Sequence, residues 1–294
     1  MDNVFDQQFL ASLERLSLQA RKIIAGKHSG ERRSPNKGSS VEFADFRNYS
    51  SGDDFRHIDW NAYARSERLF LKLFMEEQDL LLTIFIDLSQ SMDWGEPSKA
   101  RMAKQIAAAF AYLALTSFDR VAIGCCSDNL RAYLPPLRGR AALKRVWDFI
   151  AGLPCEGNTD LNKSLQDFGR YARGGGMSLV ISDFMSPSGY EEGLKYLQYL
   201  KQDVVVLQLL APDEINPPLN GDLRLVDCES GEAREVTVTP LVLKAYQRKL
   251  QEYNEAIRNF CYQRNFGYLQ LSSSDPLEDI ILRSLPSAGI LGRR

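Results

Sequence analysis

The chain has 294 residues, 44% of them hydrophobic, with 36 Lys and Arg against 38 Asp and Glu and a formal net charge of -2. That length suits one large domain or two modest ones, with core enough to fold without disulfide or metal staples. The near-balance of charge excludes a chain-wide polybasic binder of nucleic acid or membrane, and the two histidines, His28 and His57, exclude a multi-histidine metal centre.

The five cysteines, Cys125, Cys126, Cys155, Cys228 and Cys261, form no C-x-x-C pair. Such usage points to a reduced, intracellular protein rather than a disulfide scaffold or a structural zinc site. The opening residues Met1–Asp6 are acidic and lack the apolar core of a secretory signal. The most apolar stretches, Leu80–Ile86 and Ile106–Leu115, are about half the ~18 residues that suggest a membrane span. A soluble, cytoplasmic protein without a membrane span is the expectation.

In chain order, Phe5–Ala25 repeats apolar residues such as Phe9, Leu13, Leu16 and Ile23 at helical spacing, which predicts an amphipathic helix. Gly26–Ser40 is dense in Gly, Ser and Pro and reads as a loop. Its Lys27, Arg32, Arg33 and Lys37 fit a solvated linker, and nucleic acid is not the expected partner. From Leu80 the pattern changes. Near-continuous apolar runs at Leu80–Ile86, Val121–Cys126, Leu179–Ile181, Val204–Leu210 and Tyr268–Leu271 have strand length and read as strands covered on both faces. Helical segments stand between them at Lys99–Phe118, Ala141–Ala151, Asp160–Arg173, Glu191–Lys201 and Leu241–Arg264. The alternation predicts an α/β fold, a doubly wound, mostly parallel sheet with helices on both faces. The Lys99–Phe118 helix is apolar nearly all round and is expected to be buried. Leu223–Thr239, around Glu229-Ser230-Gly231-Glu232, reads as a hairpin inserted at an edge of that sheet.

Open α/β sheets bind ligands outside the carboxyl ends of their strands. The first apolar run is followed by Asp87-Leu88-Ser89-Gln90-Ser91, and the run at Leu179–Ile181 by Ser182-Asp183. Gly157-Asn158-Thr159-Asp160-Leu161 lies between them. Three loops therefore offer the carboxylates Asp87 and Asp183 with the hydroxyls Ser89, Ser91 and Thr159. All are hard oxygen donors, which suits Mg²⁺, Mn²⁺ or Ca²⁺ rather than zinc or copper. Mg²⁺ is the expected ion. So few protein charges would leave a coordination position for a carboxylate from a partner.

Asp87-x-Ser89-x-Ser91, Thr159 and Asp183 together resemble the metal-ion-dependent adhesion site of von Willebrand factor A domains. In that family the two serines and the threonine bind a divalent cation, and the aspartates bind it directly or through water. Phe184 stands where many such domains place a glycine. A second stretch, Val41–Tyr49 followed by Gly52–Arg65 with its Asp53-Asp54-Phe55-Arg56-His57-Ile58-Asp59-Trp60 core, is similar to the bacterial Domain of Unknown Function 58 family. Members of that family resemble von Willebrand factor A domains and often accompany MoxR-type AAA+ ATPases. The resemblance implies residues 1–79 as an N-terminal helix, basic loop and signature segment packed on the main domain, and residues 80–294 as a von Willebrand factor A-like, Rossmann-like α/β domain. It also implies a metal-dependent protein-binding module that works with a MoxR-type ATPase or its client in maturing or remodelling protein complexes.

Plainer readings compete at other motifs. Asp53-Asp54 could be paired catalytic carboxylates, but Arg56, His57, Asp59 and Arg65 around it favour a structural salt-bridge cluster. Gly174-Gly175-Gly176 precedes a strand, whereas phosphate loops follow one. Cys125-Cys126 reads as packing within a buried strand. The alternative function is a Mg²⁺-dependent, phosphatase-like hydrolase with Asp87 as nucleophile. Ser89 speaks against it, because haloacid-dehalogenase-type phosphatases usually carry a second aspartate there.

Overall fold

The computed structural model describes residues 5, 9, 13, 43–50, 53–74, 80–117, 119–229 and 231–284. The basic loop with Lys27, Arg32, Arg33 and Lys37 lies outside the described residues, as does most of the expected helix at Phe5–Ala25. The chain divides into two compact units, Ile23–Asp79 and Leu80–Arg294, with Met1–Lys22 counted in the larger one.

In the smaller unit, β1 (Phe43–Asn48) pairs antiparallel with β2 (Phe70–Phe74), and α1 (Trp60–Ser66) lies between them in sequence. Asp59 starts α1 as its N-cap, accepting from the backbone N–H groups of Asn61 and Ala62 at 2.9 and 3.1 Å. Ile58 bridges to Leu71, and both are buried. The acidic pair forms ion pairs, one with the expected Arg56 and one with Arg47, which lies outside the expected cluster. Asp53 takes the Arg47 guanidinium at 2.7 Å and Asp54 takes that of Arg56 at 2.9 Å, while Asp59 serves the helix. Arg56 is mostly exposed, so its pair is screened by solvent.

The larger unit is an α/β fold around one six-stranded sheet. Its elements are β3 (Leu81–Asp87), α2 (Lys99–Thr116), β4 (Arg120–Cys126), β5 (Leu130–Arg138), α3 (Leu143–Gly152), α4 (Leu161–Asp167), β6 (Gly176–Ser182), α5 (Glu191–Tyr199), β7 (Gln202–Leu210), α6 (Pro212–Ile215), β8 (Gly221–Val226), β9 (Ala233–Val238), α7 (Pro240–Gln263) and β10 (Gly267–Ser272). The sheet order is β10-β7-β6-β3-β4-β5, parallel throughout except for the antiparallel β4–β5 pair.

The apolar runs form strands because both of their faces are covered. Along β3, Ile84 and Ile86 enter one core cluster with α2 and α3 residues, and Phe85 enters the other with α4, α5 and α7 residues. β6 repeats this alternation with Leu179 and Ile181 against Val180, and β7 with Val205 and Leu207 against Val204 and Val206. All seven residues of β3 are buried. Ile106–Ala109 and Ala111 of α2 are fully enclosed, which explains a helix apolar nearly all round. Phe9 and Leu13 are buried in that same cluster, and the Phe5 and Phe9 rings meet each other and Trp147 at tilted to edge-on angles.

Two elements depart from the sequence reading. β5 is not expected from the sequence, because its Pro135 and Pro136 and its two arginines do not resemble a core strand. It is an edge strand, the position where missing N–H donors are tolerated. The hairpin at Leu223–Thr239 exists, as β8 paired with β9, but it is not inserted at the sheet edge. It forms a separate two-stranded ribbon, since β5 and β10 already supply the edges of the six-stranded sheet.

Candidate metal centre

The connection after β3 runs outward to β4, and the chain later returns to the other flank of β3 as β6. The sheet therefore switches direction between β3 and β6, where α/β folds form their ligand crevice. Asp87 ends β3 and Ser182 ends β6, and the Ser182 hydroxyl donates to Asp87 Oδ2 at 2.6 Å. The backbone N–H and hydroxyl of Ser89 both donate to Asp87 Oδ1, at 3.1 and 2.8 Å. Ser89 is extended and leads into a 3₁₀ turn at Gln90–Met92, which brings the Ser91 Oγ 3.0 Å from the Ser89 Oγ.

The loop carrying Thr159 is fastened to this turn by backbone bonds. Gln90 N–H donates to Gly157 O and Glu156 N–H to Leu88 O, each at 2.9 Å. The Ser127 hydroxyl donates to the carbonyls of Glu156 and Asn158. Gly157 is required here. Its φ is +83°, and an added Cβ would lie 2.6 Å from the Arg131 guanidinium and 2.7 Å from Ser127 Oγ. The result is a contact of 3.4 Å between Thr159 Oγ1 and Ser91 Oγ. Asp160, the next residue, caps α4 by accepting from Lys163 N–H.

The fifth expected residue, Asp183, is buried just beyond β6. Its Oδ1 accepts from Met185 N–H at 2.9 Å, and its Oδ2 holds the Lys99 ammonium at 2.7 Å. Phe184 follows in the left-handed region at φ +63°, the conformation for which a glycine would be relaxed. Its ring is fully buried against Tyr190, so packing holds the residue in a conformation costing about 1–3 kcal/mol.

Sequence reasoning missed three charged groups at this rim. Lys99, in the first turn of α2, is completely buried, and its ammonium is shared by Asp183 and Glu214 of α6. Burial alone would lower its pKa, but the charges of the two carboxylates and their hydrogen bonds hold it above the ordinary value. Glu229, in the β8–β9 turn, bonds to Thr159 through both carboxylate oxygens. A lysine at the start of an apolar helix carried a faint signal, being the one charge on a face that should be buried. Glu214 and Glu229 carried none, because loop acids are ordinarily solvated.

Electrostatically, the Asp87 carboxyl is pushed up to about 6 by burial and by the neighbouring charge of Asp183, against the hydrogen bonds from Ser182 and Ser89. Asp183 and Glu214 thus share the Lys99 ammonium, while Asp87 is held by Ser89 and Ser182 and Glu229 by Thr159. Among the described residues no group of three or more His, Cys, Asp and Glu is arranged to hold a metal ion. The donor set at the rim is instead two carboxylates and three hydroxyls. These donors fit a hard divalent ion, since every ligand atom is oxygen and the buried carboxylates carry more negative charge than Lys99 neutralises.

The model for the family described as protein of unknown function DUF58 matches residues 45–256. The chain belongs to the DUF58 family. This DUF58 protein is 27% identical over 251 residues to uncharacterized proteins of Mycobacterium tuberculosis and Mycobacterium bovis, covering 84% of its own length and 79% of theirs. Among solved structures it is similar to the conserved hypothetical protein BatB from Bacteroides thetaiotaomicron, with TM-score 0.43 and 14% identity, over 71% of this chain and 98% of that one. An aerotolerance-related membrane protein from Bacteroides fragilis gives TM-score 0.46 and 15% identity over the same shares. The pilus adhesin SpaC from Lactobacillus rhamnosus GG gives TM-score 0.46 and 10% identity, over 72% of this chain and 31% of that one. Among the described residues of the DUF58 protein, no helix is long and apolar enough to cross a membrane.

Proposed function

We propose that this DUF58 protein is a metal-dependent protein-binding module with a von Willebrand factor A-like α/β domain. The observation that carries the reading is the chain of contacts Asp87–Ser89–Ser91–Thr159, with Asp183 in a neighbouring loop, at the carboxyl ends of β3 and β6. Ser89, Ser91 and Thr159 would hold the ion directly. Both oxygens of Asp183 are engaged with Lys99 and Met185, which suits contact through water. Asp87 likewise accepts hydrogen bonds on both oxygens and would act as the charge that orients the serines. When bound, Mg²⁺ supplies a positive centre with an open position for a partner's carboxylate.

Two exposed apolar side chains on the loops that carry the centre favour a protein partner. Trp94 and Met185, on the loops after β3 and β6, are 56% and 39% exposed. The partner proposed from the family resemblance is a MoxR-type AAA+ ATPase or its client, met in the cytoplasm. The hydrolase alternative is less well supported, because Ser89 stands two residues after Asp87, where haloacid-dehalogenase-type phosphatases usually carry a second aspartate as acid and base.

The test is calorimetric titration with Mg²⁺ and Mn²⁺, together with pull-downs in Mg²⁺ and in EDTA. A divalent ion should bind, Asp87→Ala should abolish binding, and partner capture should need the ion. Absence of ion binding, with capture unaffected by Asp87→Ala, would defeat the proposal. Mg²⁺-dependent turnover of a generic phosphate ester, lost in Asp87→Asn, would favour the hydrolase.

A further inference from the structure

The β8–β9 ribbon stands apart from the six-stranded sheet, and most of its residues are exposed. An isolated two-stranded hairpin is at best marginally stable in water. Its turn nevertheless reaches the centre of the rim. Glu229 Oε1 accepts from the Thr159 hydroxyl at 2.6 Å, and Oε2 accepts from the Thr159 backbone N–H at 3.0 Å. The turn is set for this by Asp227, whose side chain accepts from Glu229 N–H and whose carbonyl accepts from Gly231 N–H, each at 2.9 Å.

One carboxylate therefore engages both donors of a residue assigned to the metal centre. We infer that Glu229 is a ligand supplied in cis: its carboxylate occupies the place that an acidic side chain of a protein partner takes, and the hairpin is a lid that this partner displaces. The inference rests on the reading of the rim as a site that receives a carboxylate. It adds a regulatory contact within the chain and states the chemistry of the partner, an exposed Asp or Glu on a surface able to cover Trp94 and Met185.

A tethered carboxylate acts at an effective concentration in the millimolar range or above. It outcompetes a weak free acid, yet yields to a partner that adds apolar contacts around its own carboxylate. Removal of the Glu229 charge should therefore raise the affinity for a free carboxylate by the factor that the tether imposes, about tenfold or more.

The experiment uses the full chain and acetate as the probe, followed by the amide signal of Thr159 in nitrogen-15 correlation spectra, once in Mg²⁺ and once in EDTA. Glu229→Gln should bind acetate at least about tenfold more tightly than the wild type, and the Thr159 amide of Glu229→Ala should exchange with solvent faster. Glu229→Ala, which cannot accept from Thr159 at all, should show the same gain, while unshifted signals from Leu223 and Val236 confirm an intact hairpin. Equal affinity in wild type and variants, or no acetate binding by any of them, overturns the inference. A gain seen equally in Mg²⁺ and in EDTA retains the lid and removes the metal from the reading of the site, so the two failures are distinguishable.

Discussion

The Asp87 carboxyl titrates at about 6, and burial is the main cause, followed by repulsion from Asp183. Because this value lies above the ordinary carboxylate range, the folded state holds the Asp87 proton between about pH 4 and pH 6 while the unfolded chain has released it. The stability contributed by that proton is fully present near pH 4 and is lost as pH rises through 6. Ionised Asp87 thus opposes folding at neutral pH, a cost that the proposed cation would offset. Asp87→Asn in EDTA should be more stable than the wild type by about 1–3 kcal/mol at pH 8, with the difference vanishing near pH 4. Urea denaturation at several pH values checks this. A variant less stable at pH 8 would mean that the hydrogen bonds of Ser89 and Ser182 to the carboxylate outweigh its desolvation. Lys99 is the counterpart residue. Its ammonium neutralises part of the cluster from within, so the centre does not depend entirely on an external ion for charge balance.

At the scale of elements, β3 and β6 fix the site because their parallel register sets Ile86 beside Ile181 and hence Asp87 beside Ser182. That register is protected at its other end by Gly176, where an added Cβ would lie 2.6 Å from the Leu81 carbonyl oxygen. Gly175 and Gly176 of the triple glycine thus serve close backbone approach, an added Cβ at Gly175 lying 2.9 Å from the Lys201 carbonyl oxygen. Gly176→Ala should destabilise the protein by about 1–3 kcal/mol, through displacement of one central strand against the other. A shift in the denaturation midpoint measures it, and a neutral result would show that the strand ends adjust freely. The Cys125-Cys126 pair shows the inert side of the same architecture: burial raises both thiols, Cys125 to about 11, so neither is a thiolate at neutral pH.

At the scale of the whole molecule, the proposed cation links function to stability. An ion that binds only the folded state stabilises it by about 2.7 kcal/mol at a hundredfold excess over its Kd. Saturating Mg²⁺ should accordingly raise Tm by several degrees in the wild type and leave Asp87→Ala unmoved, as scanning calorimetry would record. No shift in the wild type would weigh against the metal at its root. The two compact units divide the family match between them, since the match begins at residue 45 within the smaller unit and continues to residue 256 within the larger. The family signature is therefore not confined to the domain that carries the candidate centre.

The α/β alternation, the five parallel strands and the residues available as oxygen donors are legible in the order of residues alone. Apolar runs covered on both faces and hard donors after strand ends are local patterns, readable without distant contacts. Tertiary structure decided which loops meet. Thr159 reaches Ser91 across 68 positions of chain, and Lys99 reaches Asp183 across 84. Such pairings depend on strand order and on backbone bonds between loops, neither of which leaves a periodic trace in composition. β5 escaped notice because an edge strand can carry prolines, and the hairpin was misplaced because strand pairing partners are a property of the assembled sheet. Glu229 illustrates the limit most clearly: an acid in a polar turn is indistinguishable from any solvated surface charge until folding sets it against Thr159.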